Sequence, residues 1–240
     1  MFNEHTLRDK NIAITGATRG IGRASAALLS CLGANLLIGA RNTEELREFS
    51  ESMLPNKVVA QYLDVEDENS IKDFLNRGIS SFGKIDALIN CAGYGNFNSF
   101  LDLSTEDFDR MIAINLRGTF LTSKHFAKHM VENKSGQIIN INSIAGTTAL
   151  EGCSGYSASK FGLLGLSRVM QQELRSKGVY VTSILPGSVK TSFWDHIPQH
   201  PDFNQMIPQE TIARHIVSIL CQPDGAVVDE VTIMPPLGIL

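Results

Sequence analysis

Short apolar stretches typical of buried strands alternate with stretches of helical periodicity along almost the whole chain. This alternation constrains the fold more than any other feature of the sequence. It predicts a parallel sheet with helices on both faces, because each helix returns the chain to the edge where the next strand begins. The predicted strands are 11–15, 35–40, 57–63, 85–89, 137–142, 179–185 and 231–234. The predicted helices are 23–32, 43–53, 68–81, 105–131, 156–177 and 208–221.

The domain organisation follows from the same pattern. A length of 240 residues would allow one domain or two. No linker, internal repeat or low-complexity stretch interrupts the alternation. We therefore predict an α/β fold in one domain over residues 1–240, with a doubly wound sheet of about seven parallel strands.

A glycine-rich turn joins the first predicted strand to the first predicted helix. The turn reads Thr15-Gly-Ala-Thr-Arg-Gly-Ile-Gly22, so glycines stand at Gly16, Gly20 and Gly22 rather than at the spacing G-x-G-x-x-G. Glycine lets the backbone approach a ligand closely, and the N–H groups and dipole of a helix N-terminus favour an anion. The turn thus predicts a phosphate site, the alternative being glycines that only shape the turn.

The second predicted strand ends without a carboxylate. In a dinucleotide-binding fold this end meets the adenosine ribose, where an acid would bind the 2′-hydroxyl. Here Ala40 is followed by Arg41, and Arg19 lies in the glycine turn. A guanidinium suits a 2′-phosphate, which favours NADP over NAD. Either arginine could instead be an ordinary surface charge.

Tyr156 and Lys160 stand one helical turn apart, so both lie on one face of a helix. An adjacent ammonium favours the phenolate, and we expect it to lower the pKa of Tyr156 from its ordinary value. A phenol tuned in this way could exchange a proton in the interconversion of a carbonyl and an alcohol. The alternative is a half-buried packing tyrosine beside a solvated lysine.

Polar and small residues follow the other strands, at the sheet edge where open α/β folds bind ligands. Asp64 and Val65 close the third strand, and Asn90-Cys-Ala-Gly93 follows the fourth. Asp64 could accept a hydrogen bond from an adenine amino group or only start a loop. Ser143, after the fifth strand, could bind a substrate oxygen or be a turn residue. Asn115, inside the predicted helix 105–131, could hold a water, brace Lys160, or be a tolerated polar residue.

Composition narrows the function classes. A net charge of −4 with no basic cluster argues against nucleic-acid binding, and the apolar runs are too short to span a membrane. The N-terminus lacks the apolar core of a signal peptide, and the four cysteines are widely separated, which fits reduced thiols in the cytoplasm. Cys153, close to Tyr156, is either reactive or a packing residue. His125 and His129 lack a third ligand nearby, so we predict no metal site.

Together these motifs resemble the short-chain dehydrogenase/reductase family, in its ordinary subgroup of chains of about this length. They occur in the family's order and spacing over nearly the whole chain, and the set also includes Pro186-Gly-Ser-Val-Lys-Thr191. The resemblance implies a Rossmann-type fold with Tyr156 as general acid/base, Ser143 polarising the substrate oxygen, and Lys160 tuning Tyr156 and holding the nicotinamide ribose. It also implies that Asn115 supports a proton-relay water.

The cofactor implied by the resemblance, together with Arg19 and Arg41, is NADP. The residues predicted to bind it are Gly16, Thr18, Arg19, Gly20, Ile21, Gly22, Arg41, Asp64, Val65, Asn90, Ala92, Gly93, Tyr156, Lys160, Pro186, Gly187, Val189 and Thr191. Within that set, Val189 and Thr191 would face the nicotinamide carboxamide and Asp64 the adenine. Residues 188–208 carry aromatic side chains with weak periodicity, which predicts a substrate lid.

The sequence departs from the family at two places. Cys91 replaces the second asparagine of the usual Asn-Asn-Ala-Gly, and the C-terminus lacks the aspartate-glycine-glycine-like run of 3-ketoacyl reductases and many sugar dehydrogenases. The ending is more similar to members that carry only general oxidoreductase names. A 3-ketoacyl thioester reductase is therefore the less favoured substrate class.

The predicted function is an NADP(H)-dependent oxidoreductase that interconverts a carbonyl and a secondary alcohol by hydride transfer. A non-catalytic NADP-binding sensor or scaffold is the alternative, although such a protein would not need Ser143, Tyr156 and Lys160 together.

The predicted partners are a small carbonyl or alcohol substrate and further copies of the chain. The helices around Asn115 and Tyr156 carry more apolar residues than one sheet face should bury, which predicts a tetramer or dimer, and the family implies a tetramer. The substrate should be chosen by the lid and residues 145–152.

Overall fold

The computed structural model describes residues 7–53, 55–195, 197, 200–223 and 225–239. Its centre is a parallel sheet of seven strands. These strands are β1 Asn11–Thr15, β2 Asn35–Ala40, β3 Val58–Tyr62, β4 Ala87–Asn90, β5 Gly136–Ile141, β6 Val179–Pro186 and β9 Glu230–Ile233. Across the sheet they lie in the order β3-β2-β1-β4-β5-β6-β9. The predicted single α/β domain with a doubly wound sheet is therefore confirmed.

Seven α-helices connect or flank these strands in the described part of the chain. They are α1 Gly20–Cys31, α2 Thr43–Ser52, α3 Glu68–Phe82, α4 Thr105–Met111, α5 Thr119–Glu132, α6 Ser154–Leu174 and α7 Gln209–Leu220. Side-chain caps begin three of them: Asn42 accepts from the Glu45 amide, Asp67 from the Asn69 amide and Ser104 from the Asp107 amide. These caps satisfy amides that a helix leaves without an internal partner.

The sheet separates two apolar cores because its central strands are buried on both faces. On one face α1, α2 and α7 pack around Ile14, Leu29, Ile38 and Ile216. On the other, α3 and α5 pack around Leu37, Phe74, Phe126 and Ile138, with the inner side of α6 against them. Side chains along a strand alternate between the two cores, as Leu37 and Ile38 show, and this locks the register of the sheet.

The prediction of one continuous α-helix over residues 105–131 is wrong, because the middle of this helical stretch is not α-helical. A π-helical segment, Ile112–Gly118, separates α4 from α5. Thr119 donates its hydroxyl to the Asn115 carbonyl at 2.9 Å and Thr122 donates to the Gly118 carbonyl at 2.8 Å. At Gly118 the backbone lies so close to Val65 that a Cβ would be 2.9 Å from its Cγ2. Close packing and these hydroxyl bonds to backbone carbonyls accompany the local widening of the helix, which the apolar periodicity does not reveal.

The segment after β6 also differs from the prediction. Val189–Lys190 forms β7, which pairs in parallel with β8, Ile207–Pro208. Pro208 therefore belongs to this small sheet, and α7 begins at Gln209. His196, Pro198 and Gln199, within the predicted lid, lie outside the described residues. No helix in the described ranges is both long and apolar enough to cross a membrane.

Candidate active site

A large cavity of about 1820 Å³ opens at the carboxyl edge of the sheet. It begins where β1 and β4 lie side by side, although β2 and β3 intervene in the sequence. Ligands of open α/β sheets bind at such a point, because the chain leaves the two neighbouring strands in opposite directions and opens a crevice between them. We call one end, around Gly16, Gly20 and Gly22, the glycine half, and the other, around Phe97 and Tyr156, the aromatic half.

The glycine half is built by close backbone contacts. Thr15, at the end of β1, accepts hydrogen bonds from the Cys91 and Ala92 amides at 3.1 Å each, which ties the ends of β1 and β4 together. Gly16 has φ +64°, and a Cβ there would lie 2.8 Å from Ala92 Cα. A Cβ at Gly22 would overlap the Gly16 carbonyl oxygen. These positions leave no room for a side chain, and the backbone itself forms the cavity wall.

The N-terminus of α1 points its amides into this half. Arg19 is the residue before the helix, and no side chain among the described residues caps that end. Uncapped first-turn N–H groups and the helix dipole together favour a negatively charged ligand. The predicted phosphate-binding turn therefore has both the space and the donors that an anion requires.

Both predicted arginines line the cavity, but each lies near a carboxylate. Arg19 donates from Nη2 to Glu45 at 2.7 Å and from Nε at 3.3 Å. Arg41 Nη1 lies 4.0 Å from Glu66 Oε2. The hydrogen bond from Arg19 is the main cause that lowers the pKa of Glu45, so this carboxylate stays ionised. Neither Glu45 nor Glu66 is among the residues predicted from the sequence to bind the cofactor.

Tyr156, Ser143 and Lys160 come together in the aromatic half. The hydroxyl of Ser143, which follows β5, hydrogen-bonds to the phenol of Tyr156 on α6. Lys160 is buried, donates to the Ile141 carbonyl at 2.9 Å, and places Nζ 5.6 Å from the centre of the Tyr156 ring. The predicted juxtaposition of hydroxyl, phenol and amine is thus present, carried by the end of β5 and the first turns of α6.

The expected lowering of the Tyr156 pKa is wrong for this structure. Burial raises the pKa of Tyr156 to about 12, and the Ser143 hydrogen bond opposes this only in part. Burial likewise lowers the pKa of Lys160 to about 8. Removing a charged group from water disfavours its charged form, and here that effect exceeds the attraction expected between the neighbouring groups. At neutral pH the phenol therefore carries its proton.

Asn115 lies in the π-helical segment and is fully buried. Its side chain accepts from the Tyr94 amide and donates to the Tyr94 carbonyl, both at 2.8 Å, and donates to Ser159 at 3.0 Å. The Asn115 side chain therefore joins the loop that follows β4 to helix α6. The predicted hydrogen bond from Asn115 to Lys160 is not the one formed, because Lys160 donates to the Ile141 carbonyl instead.

Asn90 is the predicted cofactor residue that the structure places elsewhere. Its amide donates to Ser123 at 3.0 Å and to Asn140 at 2.8 Å, in the buried layer between β4, β5 and α5. The alternation of side chains along β4 turns Asn90 away from the cavity. Apart from Asn90 and Asn115, the predicted residues line the cavity: Gly16, Thr18, Arg19, Gly20, Ile21, Gly22, Arg41, Asp64, Val65, Ala92, Gly93, Ser143, Tyr156, Lys160, Pro186, Gly187, Val189 and Thr191.

Two aromatic side chains, Phe97 and Phe193, flank the ring of Tyr156, and Trp194 extends this aromatic group. Its ring centre lies 5.4 Å from that of Phe97 and 5.7 Å from that of Phe193, and Trp194 lies 5.8 Å from Phe97. Trp194 is anchored by a 2.9 Å hydrogen bond from its indole to the Val189 carbonyl. Phe193 and Trp194 belong to the predicted lid, whereas Phe97 is not among the residues predicted from the sequence to form the site. Its place in the loop that follows Gly93, at the carboxyl edge of the sheet, is the sequence feature that indicates it.

The cysteine and histidine side chains considered as reactive or metal-binding candidates are buried or engaged in other contacts. Burial raises the pKa of the Cys153 thiol, which argues against a reactive thiolate. Burial also raises the pKa of Cys91, to about 12. His125 pairs with Glu68 at 2.8 Å, while His129 accepts from the Ile85 amide at 3.2 Å. In the described ranges no three His, Cys, Asp or Glu side chains are grouped to hold a metal ion.

The sequence of this chain is similar to those of known proteins. The family model described as short chain dehydrogenase matches residues 10–202. An uncharacterised oxidoreductase of Staphylococcus aureus (strain MRSA252) is 32% identical, over 95% of this chain and 98% of the relative. A counterpart from Staphylococcus epidermidis is 34% identical, over 95% of this chain and 98% of its own length.

Solved structures show the same architecture. A metagenomic short-chain oxidoreductase in complex with NADP superposes with a TM-score of 0.84 and 31% identity, over 96% of this chain and 98% of that chain. An alcohol dehydrogenase from the archaeon Thermococcus sibiricus, complexed with 5-hydroxy-NADP, has a TM-score of 0.87 and 29% identity, over 94% of this chain and 96% of that chain. With the family model spanning most of its length, this chain belongs to the short-chain dehydrogenase/reductase family of oxidoreductases.

Proposed function

We propose that the protein is an NADPH-dependent carbonyl reductase, which also runs in reverse as an alcohol dehydrogenase. The observation that carries the proposal is the convergence of Ser143, Tyr156 and buried Lys160 at one end of a cavity whose other end is an anion-binding glycine turn. A binding protein without turnover needs the turn but has no use for a phenol, a hydroxyl and an amine in this arrangement.

The glycine half fits a dinucleotide phosphate. Gly16 and Gly22 pack against neighbouring backbone with no room for a Cβ, and the uncapped amides of α1 supply donors, so the pyrophosphate would lie against this turn. Arg19 and Arg41 would hold the 2′-phosphate, Asp64 and Val65 the adenine, and Lys160 the nicotinamide ribose. Pro186, Gly187, Val189 and Thr191 would face the nicotinamide. The NADP named for the metagenomic relative and the 5-hydroxy-NADP of the archaeal one support this choice.

The chemistry that bound NADPH supplies is a hydride for the carbonyl carbon. Tyr156 donates its phenolic proton to the carbonyl oxygen as that oxygen gains negative charge, and Ser143 donates a second hydrogen bond to the same atom. The phenolate that remains is stabilised by the Lys160 ammonium and regains its proton from solvent. Because the pKa of Tyr156 is raised to about 12, the phenol holds its proton at neutral pH, which is the protonation state that a general acid needs for the reduction.

The segment 188–208 acts as the lid of this site. Its described part places Phe193 and Trp194 against Phe97 and is fastened at both ends by the pairing of β7 with β8. A cover of aromatic side chains over Tyr156 excludes water from the reacting oxygen, which strengthens the hydrogen bonds made there.

Assembly into dimers or tetramers follows from the outer faces of α4, α5 and α6. Phe108, Phe120, Phe161 and Val169 are exposed to 38%, 42%, 45% and 52%. Apolar groups of this size on adjacent helices favour pairing with a second copy of the chain. Light scattering at micromolar concentration should give a multiple of the 26.2 kDa chain mass, and a monomer mass would exclude the assembly.

The test of the proposed reaction is NADPH consumption, followed at 340 nm with a panel of ketones and aldehydes. We expect turnover with NADPH, and slower turnover with NADH at equal subsaturating concentrations. Cofactor binding without consumption of either cofactor on any carbonyl compound would instead support a sensor. Equal affinities for the two cofactors would remove the argument from Arg19 and Arg41.

A further inference from the structure

The aromatic half differs from the glycine half in both shape and charge, and the difference bears on the substrate. Among the described residues that line it, the charged side chains are Lys160 and Glu151. Lys160 is buried and engaged with the Ile141 carbonyl, whereas Glu151 is exposed at the rim. Arg19 and Arg41 lie at the opposite end of the cavity beside Glu45 and Glu66. A carboxylate or phosphate on the substrate would therefore find no arginine here and would face Glu151.

The walls of the aromatic half are apolar and large. Phe97, Phe193 and Trp194 form one continuous group whose ring centres lie 5.5 to 6.0 Å apart. Phe97 and Phe193 also flank the ring of Tyr156, the group that would meet the reacting oxygen. The edges and faces of such rings bind another aromatic ring or a branched alkyl group, and they offer a small polar molecule almost no hydrogen-bond partners.

The same apolar surface continues outward to the mouth of the cavity. Leu150 and Ile197 line it, and Phe100 lines its rim with 81% of its surface exposed. An exposed phenylalanine at the rim of an apolar cavity gives a substituent somewhere to lie beyond the reacting carbon. The aromatic half is thus long enough for a substituent much larger than a methyl group.

We infer that the substrate is a neutral ketone or aldehyde that carries an aromatic ring or another bulky apolar group beside the carbonyl. This inference rests on the proposed function and adds a substrate class to it. It excludes keto acids and acyl thioesters of phosphate-bearing carriers as preferred substrates, because a negative charge close to the carbonyl would be desolvated among the aromatic rings without a partner, and a negative charge at the rim would be repelled by Glu151.

Matched carbonyl compounds test size and charge separately. Acetophenone and acetone differ in one ring, and methyl benzoylformate and benzoylformate differ in one negative charge. With saturating NADPH, we expect kcat/KM to be at least about tenfold higher for acetophenone than for acetone, and for the ester than for the acid. Phe193→Ala should lower the ratio of kcat/KM for acetophenone to kcat/KM for acetone by about tenfold, because acetone has no ring to contact Phe193, whereas Phe193→Leu should retain most of this ratio. Tyr62→Ala, outside the cavity, serves as the control.

Binding gives a second readout that does not depend on turnover. Trp194 is the only tryptophan of the chain, so intrinsic fluorescence reports directly on the aromatic half. In protein saturated with NADP⁺, which cannot reduce a ketone, acetophenone should quench this fluorescence in a saturable way and benzoylformate should not. Preferred turnover of acetone or benzoylformate would overturn the substrate class and leave the reductase standing. A lack of turnover for every compound with either cofactor would overturn both.

Discussion

The two halves of the cavity are built on different principles. The glycine half consists of backbone: strand ends joined by Thr15, glycines without room for a Cβ, and the amides of α1. The aromatic half consists of side chains from three separate segments, in which Phe97, Tyr156 and Phe193 meet across long stretches of sequence. Backbone geometry of this kind holds one ligand shape, whereas loop side chains can change without disturbing the sheet. The first half suits a shared cofactor and the second a particular substrate.

If the two halves act separately, a change in one should leave the other intact. Of the changes Ser143→Ala, Gly22→Ala and Glu45→Gln, which test this independence, the largest effect is expected from Ser143→Ala, in the aromatic half. The substitution removes one of two donors to the reacting oxygen, so turnover should fall by about 10²–10³-fold. NADPH affinity, measured by cofactor fluorescence, should stay near the wild-type value. A parallel loss of cofactor affinity would show that the two halves are not independent.

Gly22→Ala should break the glycine half. The added methyl group would overlap the Gly16 carbonyl, so the turn must shift away from the cofactor phosphates. We expect NADPH affinity to fall by about 10–100-fold, the equivalent of a few kcal/mol of overpacking. Gly165→Ala is the matched control, because a Cβ there meets nothing within 4 Å in the described structure. Since Gly165 lies between Phe161 and Val169 on the exposed face of α6, light scattering on this variant checks that its assembly is unchanged. Calorimetric titration of both variants makes the comparison, and unchanged affinity in Gly22→Ala would contradict the assignment.

Glu45→Gln should produce a smaller effect of opposite sign. It removes a negative charge that occupies Arg19, and so should raise the preference for NADPH over NADH by about 2–5-fold. Arg41→Asp should instead reverse or erase the preference. Glu51→Gln, which breaks the Arg47 pair on the same helix, is the control and should leave both affinities unchanged. Weaker NADPH binding in Glu45→Gln would mean that Glu45 positions Arg19 for the phosphate.

Much of the glycine half, and the Tyr156–Lys160 pair of the aromatic half, could be predicted from the sequence because the residues involved are close together along the chain. The spacing of Gly16, Gly20 and Gly22 between a buried strand and an apolar helical pattern determines the turn, and the helical spacing of Tyr156 and Lys160 places both side chains on one face. These features depend on residues a few positions apart and on rules that hold for any βαβ unit.

Other features depend on packing between distant segments. The π-helical segment around Asn115 packs closely against Val65 at Gly118, and Asn90 is held in the buried layer by hydrogen bonds to Ser123 and Asn140. The raised pKa of Tyr156 reflects burial beneath aromatic side chains, whereas the sequence showed only the neighbouring lysine. No local pattern carries such information, so the sequence alone could not supply it.

In the proposed division of labour, Tyr156 donates the proton in the aromatic half while the glycine half only holds the cofactor. Single-turnover reduction of acetophenone by the NADPH-loaded Tyr156→Phe variant tests this role of Tyr156, with Tyr180→Phe on β6 as the control. We predict a rate lower by about 10²–10⁴-fold, unchanged NADPH affinity and unchanged quenching of Trp194 by the ketone. Reduction by Tyr156→Phe at a rate near that of the wild type would show that Tyr156 does not donate the proton.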